Sequence, residues 1–395
     1  MTQTLAVINI GCVVSGSLSA PVIEADTLVA TDGVITAIGS AGDVSVPDDA
    51  TVLDAAGATV LPGLRDNHVH PVFGDFTPRQ NTLGWIESAL HGGVTSMYSA
   101  GEAHLPGRPS DPDGMVALAT LAHKSYAKVR PAGVKLNAGA VLLEPGLTEA
   151  HFDELAAAGC SLVGEIGISG LTDPAIAAKM TGWAQSRGMK VMVHTGGASI
   201  PGSSVIGADF VVTVKPDVAG HVNGGPTSLP LGDVQRILQE TNARIEVVHN
   251  GNITTLGAIV RLAAERGELS RVVIGTDAPA GSGAQPLGVL RVMASAASLG
   301  SVDGPTAVAF ATGNTAQLHG EDGTLAVGQP ADLVVVDAPL GSQASDAMGA
   351  LEIGDTLAVA FVVIDGRVVV AKSRNTPPPV RGIHQVGAVP ASAGH

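Results

Sequence analysis

Two patterns of apolar positions divide the chain. Up to about residue 60, short apolar runs alternate with turns: LAVINI, GCVVSG, DTLVATDGVITAIG and ATVLDAAGATVL. Apolar positions that recur every second residue put one face of each segment toward a core, so residues 1–60 are predicted to be a small all-β unit. TDG is an Asp-Gly hairpin signal. The same character returns over 321–375, in DLVVVDAP and LAVAFVVIDGRVVVAKS, with a second Asp-Gly turn at Asp365 and Gly366. The two ends are therefore predicted to form one β-sandwich, split by everything between them. The tail, 376–395, opens with three consecutive prolines at 377–379 and is predicted to be an extended arm rather than a packed element.

Between 61 and 320 the pattern changes to apolar runs that alternate with helical segments. The runs are VLPGLRDNHVH, GVTSMYSAG, VKLNAGAV, SLVGEIG, KVMVHTGG, DVAGHVNGG, RIEVVHNG and RVVIGTDAP. Between them EAHFDELAAAG, PAIAAKMTGWAQSRG, LGDVQRILQETN and LGAIVRLAAERG carry apolar spacing near 3.6 and end on Gly or Asn. Strands alternating with helices imply βα units and a parallel sheet. Eight such units predict an α/β fold, a (β/α)8 TIM barrel with the smaller β-sandwich beside it, whose site lies at the carboxyl ends of the strands. An open doubly wound sheet is the alternative. It gives no reason for polar residues to converge from several strand ends.

Composition narrows the partners. A formal net charge of −15 argues against nucleic acid or an anionic membrane, both of which need clustered Lys and Arg. Cys12 and Cys160 are too few for a disulfide framework, which points to reduced thiols and a cytoplasmic protein. The first residues superficially resemble a signal peptide, yet no Lys or Arg precedes Arg65, so they are read as a strand. No apolar run approaches the roughly 18 residues of a membrane span.

The candidate chemistry sits at the ends of the predicted barrel strands. His68 and His70 are two apart, so in a strand their imidazoles share a face and can hold one metal ion. A lone His-x-His is a weak signal, and a single His in an apolar run is more often a hydrogen-bonded core residue. Glu165, His194, His221 and Asp277 each close a later apolar run just before a Gly- or Pro-rich loop. Four histidines and two carboxylates on five of eight strand ends form a specific pattern, that of a two-metal hydrolase site. Imidazole and carboxylate suit Zn, Fe(II), Mn or Co.

VLDAAGATVLPGLRDNHVHP resembles the entry to the barrel in the amidohydrolase superfamily, and the match runs essentially end to end. FTPRQ, SALHGGVTSM, PGRP, KSYAKVRPAGVK, HTGGASIPGSS, HVNGGPTS and SRNTPPP, all outside the metal motif, resemble its lactam-opening branch, the enamidases. The resemblance implies that His68, His70 and Asp277 hold one divalent ion, His194 and His221 a second, and that Glu165 bridges them. Most binuclear relatives bridge with a carboxylated lysine, whereas VGEIG supplies a glutamate, and Lys179 and Lys190 fit the bridge poorly. It further implies zinc with iron, a homotetramer, and hydroxide between the ions opening a cyclic amide. The small-molecule substrate would be 6-oxo-1,4,5,6-tetrahydronicotinate, with Asp277 moving the proton. Another lactam, an imide or an acyclic amide is the alternative substrate, and a barrel scaffold without metals the alternative class.

Five further residues are candidates for substrate contact: His249 at the end of the seventh run, His104 and Arg108 after the second, Arg79 after the first, and Lys215 before the sixth. Each competes with an ordinary role, a solvated charge or a loop-bracing ion pair. His91, His123, His151, His319, His384 and His395 occupy no position that suggests chemistry. GASIPGSS and GHVNGGPTS are Gly-rich but lack the phosphate-loop pattern, and are read as loops whose amides meet the substrate.

Overall fold

The computed structural model describes residues 3–71, 80–102, 105, 107–168, 170–198, 204–224, 228–279 and 284–386. All eight predicted barrel strands are present, as β1 (Leu64–Val69), β2 (Val94–Ser99), β3 (Lys135–Asn137), β4 (Leu162–Ile166), β5 (Lys190–His194), β6 (Val218–Gly220), β7 (Arg244–Val248) and β8 (Val272–Gly275). Every neighbouring pair is parallel. They form an arc of three, β1 to β3, and an arc of five, β4 to β8. Isolated parallel bridges join both seams, Val141 to Val163 and Val69 to Ala278.

One helix follows each strand: α1 (Gln80–Leu90), α2 (Pro112–Tyr126), α3 (Glu149–Ala158), α4 (Pro174–Gln185), α5 (Ala208–Val214), α6 (Leu231–Glu240), α7 (Ile253–Glu265) and α8 (Gly288–Gly300). Side-chain caps at Asp111, Asp173 and Asn252 accept from N–H groups of the first turn of α2, α4 and α7. Such a cap contributes about 1 kcal/mol and fixes where a helix starts. Strands covered by helices and closed into a ring bury both faces, which is why β2, β4 and β8 are buried throughout and read as continuous apolar runs.

The two chain ends make a sandwich. One sheet orders His384–Val386, Thr51–Asp54, Thr4–Ile8, Thr27–Thr31 and Val34–Gly39. The other orders Arg367–Ala371, Ala358–Ile364, Leu333–Asp337, Thr59–Pro62, Cys12–Val14 and Val22–Ile23. Leu5, Val7, Leu28 and Leu53 from the first end pack with Leu333, Val335 and Val363 from the second. Strand Thr59–Pro62 pairs with Leu333–Asp337 and then runs directly into β1 through Gly63. A side chain cannot stand at 63, because a Cβ there would lie 2.2 Å from the Thr95 Oγ1.

The tail departs from the expected free arm. Leu340 and Val380 exchange backbone hydrogen bonds with Pro378 and Ala338, and the Arg381 amide donates to the buried Asp337 at 2.8 Å. Residues 384–386 then pair antiparallel with Thr51–Asp54 at the sheet edge. An exposed edge strand offers unpaired N–H and C=O groups, and here the chain's own end satisfies them. Residues 387–395 lie outside the described residues. Cys12 and Cys160 are both free thiols, and no helix among the described residues is long and apolar enough to cross a membrane.

Candidate metal centre

The six residues singled out at strand ends meet inside the carboxyl end of the barrel. His68 lies near the end of β1 and His70 just past it, and their Nε2 atoms are 3.2 Å apart. Asp277 follows β8, its Oδ1 3.5 Å from the His68 Nε2 and 3.3 Å from the His70 Nε2. β8 can lie this close to β1 only because residue 275 is glycine, where a Cβ would stand 2.5 Å from the His68 Cβ. On the far side, the His194 Nδ1 from β5 is 3.0 Å from the His221 Nε2, which follows β6. Asp277 (φ 57°) and His221 (φ 32°) both have left-handed backbones, a strained conformation for a residue with a side chain.

Glu165, on β4, stands between the two groups and splits its oxygens. Oε2 lies 3.5 Å from the His68 Nε2 and 3.4 Å from the His70 Nε2. Oε1 lies 2.6 Å from the His221 Nε2 and 3.6 Å from the His194 Nδ1. Two sets of three donors result, His68–His70–Asp277 and Glu165–His194–His221, each with its ligand atoms within 4.8 Å of one another.

All six side chains are buried except Asp277, which is 21% exposed. Burial pushes the His68 imidazole down, but the carboxylates of Glu246, Glu165 and Asp277 outweigh it and hold it well above its ordinary value. His70 is likewise lowered by burial, then raised to about 9 by its bonds to Asp277 and Glu165. Burial raises Glu165 and Asp277, and the surrounding imidazoles overturn that and hold both below the usual carboxylate range. A buried cluster that draws protons this strongly is one whose negative charge calls for cations. Divalent ions can displace those protons and take the lone pairs they leave. The donor set of four imidazoles and two carboxylates fits two such ions.

Groups absent from the expected site hold these ligands in place. The His68 Nδ1 donates to Glu246 Oε2 at 2.7 Å, and the His70 Nδ1 faces the Gly101 carbonyl at 2.8 Å. Asp66 ties β1 to β8, accepting from the Thr276 amide at 2.8 Å and its hydroxyl at 2.6 Å. Burial raises the Asp66 carboxyl to about 7. Asn223 clamps the loop after β6 to Val248 through both ends of its amide, and Asn250 donates to the Asp277 carbonyl at 2.5 Å. Glu246 had one signal in sequence, a carboxylate within the apolar strand RIEVV.

The five substrate candidates fare differently. Lys215 is a correction: it precedes β6, at the floor of the barrel, where a cavity of about 500 Å³ is lined by Lys190, Asp217 and Arg244. The metal-ligand candidates all lie at the opposite ends of the strands, so Lys215 cannot meet a substrate there. Arg108 is paired with the buried Glu144 at 3.0 Å, the loop-bracing role. His249 is half-buried, lowered by burial and by the Arg291 charge, and bonded to Gln285. Arg79 and His104 lie outside the described residues, as do parts of both Gly-rich loops.

The chain is 51% identical over 382 residues to enamidase of Eubacterium barkeri, covering 96% of this chain and 99% of that protein. It belongs to the amidohydrolase superfamily. The amidohydrolase family profile matches residues 238–369, and the crystal structure of enamidase superposes with a TM-score of 0.93 at 50% identity over 97% of this chain and 100% of that one. A dihydroorotase of Syntrophotalea carbinolica is 28% identical over 55% of this chain and 49% of its own length. The crystal structure of N-isopropylammelide isopropylaminohydrolase from Burkholderia multivorans shares the fold alone, with a TM-score of 0.63 at 18% identity over 94% of this chain and 99% of that one.

The protein is thus a hydrolase of that superfamily, on the TIM-barrel fold, with residues placed to bind divalent metal. Strand four carries Glu165, between the two groups of candidate ligands.

Proposed function

We propose that the protein is an enamidase-type hydrolase that opens a cyclic amide, 6-oxo-1,4,5,6-tetrahydronicotinate, to 2-formylglutarate and ammonia. The 51% identity to enamidase over nearly the whole of both chains carries this reading. His68, His70 and Asp277 would hold one divalent ion and His194 and His221 the other, with Glu165, placed between the two groups, available to both. Zinc, alone or with iron, suits these donors. Bound there, such ions polarise the scissile carbonyl and lower the pKa of the attacking water. Asp277 takes the water's proton and returns it to the departing nitrogen, a role suited to the one carboxylate of the six that is partly exposed.

An amide nitrogen leaves poorly. In this substrate it is attached to a C=C that carries a carboxylate, so charge developing on nitrogen spreads into the conjugated acid. The released enamine then tautomerises, takes up a second water and loses ammonia. The substrate carboxylate is met by basic residues in the loops after β1 and β2, with Arg79 and His104 the candidates. The free thiols support a cytoplasmic enzyme, and we place it in a homotetramer like that expected of its branch.

The test is a turnover screen of cyclic amides and imides, dihydroorotate among them, with and without a ring carboxylate, on metal-replete protein. Ring opening with ammonia release, fastest on 6-oxo-1,4,5,6-tetrahydronicotinate, is expected. Faster turnover of dihydroorotate, or of a lactam lacking the carboxylate, would reassign the substrate.

A further inference from the structure

Behind the His68–His70–Asp277 group lies a chain of polar side chains, buried at Glu246 and Asn67, that the ring-opening chemistry does not use. Glu246, on β7, is fully buried. Its Oε2 accepts from the His68 Nδ1 at 2.7 Å and from the His221 amide at 3.0 Å, and its Oε1 accepts from the Asn67 Nδ2 at 2.7 Å. The Asn67 Oδ1 in turn lies 2.7 Å from the His319 Nε2. His319 is stacked on Tyr98, ring centroids 3.6 Å apart and nearly parallel, and Tyr98 donates to Glu321 at 3.0 Å.

The direction of each bond can be read from the chemistry. The Asn67 amide nitrogen must face the Glu246 carboxylate, so its oxygen faces His319 and the His319 Nε2 carries the proton. Three donors then converge on Glu246. The His68 Nδ1 must also be protonated, so it is the Nε2, facing the space shared with His70, Asp277 and Glu165, that would give up its proton to a metal ion. A buried carboxylate is expensive, on the order of several kcal/mol even after relaxation, and an apolar side chain of that size would fill the strand at lower cost. Its presence is explained by what it orients.

We propose that Glu246 is a positioning residue, held by Asn67 and His319, that fixes the tautomer and angle of His68 and so sets the affinity of the His68–His70–Asp277 group for its metal. This rests on the proposed two-metal reading of the site. A carboxylate on the remote nitrogen of a ligating imidazole makes it a stronger donor, and removing such a partner typically costs about 10- to 100-fold in metal affinity.

The experiment titrates the metal-free protein with Zn(II) against a competing chelator and resolves the two equivalents. The wild-type protein should bind two. Glu246→Gln, which leaves one donor facing an amide N–H, should weaken one equivalent by about 10- to 100-fold and the other far less. His319→Phe keeps the stack on Tyr98 but frees Asn67 to turn, and should weaken the same equivalent to a smaller degree. His319→Gln, whose amide can donate to Asn67 again, should restore it. This rescue separates orientation from packing, and it answers the question even if Glu246→Gln fails to fold. A wild-type protein that binds two ions, with variants that bind both as tightly, overturns the role of Glu246 alone. A wild-type protein that takes up no divalent ion overturns the two-metal reading along with it.

Discussion

The two halves of the metal centre stand on different amounts of scaffold. His68, His70 and Asp277 come from β1 and β8, which are tied together beneath them by Asp66 on Thr276 and by the pairing of Asp277 with His68 and His70 with Ala278. Both imidazoles have their remote nitrogens anchored, on Glu246 and on the Gly101 carbonyl. Glu165, His194 and His221 come from three strands, one each, and among the described residues the His194 remote nitrogen faces the Gly197 carbonyl at 3.3 Å. The first group is held at more points than the second, whose support is the His221 amide on Glu246 and the Asn223 clamp after β6. A site that pays less to reach its bound geometry binds more tightly, so the two ions should differ in affinity.

The harshest way to break the comparison is to delete a ligand on the rigid side. His68→Ala or His70→Ala should remove that group's ion and abolish turnover, as elemental analysis beside an ammonia-release assay would show. A variant that kept two ions would take the deleted histidine out of the ligand set.

Next in size is Asp277→Asn, which keeps an oxygen donor but cannot accept a proton. Turnover should fall by about 10²- to 10⁴-fold with metal content near normal. Loss of less than about tenfold in a fully loaded variant would remove Asp277 as the proton shuttle.

A smaller effect sharpens the same contrast from below. Burial pushes the His319 imidazole down from its ordinary 6.5 to about 3. The unfolded chain therefore takes up a proton below pH 6.5 that the folded protein refuses until about pH 3, so this group's contribution is present at neutral pH and is lost as pH falls across that window. His319→Phe should be less stable at pH 7, by on the order of 1 kcal/mol for the lost hydrogen bond, yet should lose stability less steeply on acidification. Denaturant midpoints at pH 7 and pH 4 measure this, and parallel slopes would count against a buried neutral His319. Smallest of all, His249→Ala should keep both ions, since its partners are Gln285 and Arg291.

What was legible in the sequence follows the same division. β4, β5 and β8 announce themselves because strands buried on both faces read as largely apolar runs, and a His or carboxylate closing such a run is conspicuous; β1, LRDNHV, is mostly polar and shows itself by its His-x-His end. Glu246 was less conspicuous: its partner Asn67 lies 179 residues from it, and His319, which bonds to Asn67, lies 252 residues beyond that asparagine, so only the fold brings the three together. Lys215 misled because three residues before β6 and three after it are equally near in sequence and at opposite ends of the barrel. The prolines of the tail read as an arm, since the edge strand that receives 384–386 lies at Thr51–Asp54, near the other end of the chain.

The claim on which the site turns is that Glu165, with no added carbon dioxide, joins the two halves. Metal-free protein should be reconstituted with Zn(II) in carbonate-free buffer, and its ion content and ring-opening rate followed as bicarbonate is added. Two ions per chain and full turnover before any bicarbonate is present are expected. Turnover that appears only with bicarbonate, or saturation by a single ion, would contradict a glutamate bridge.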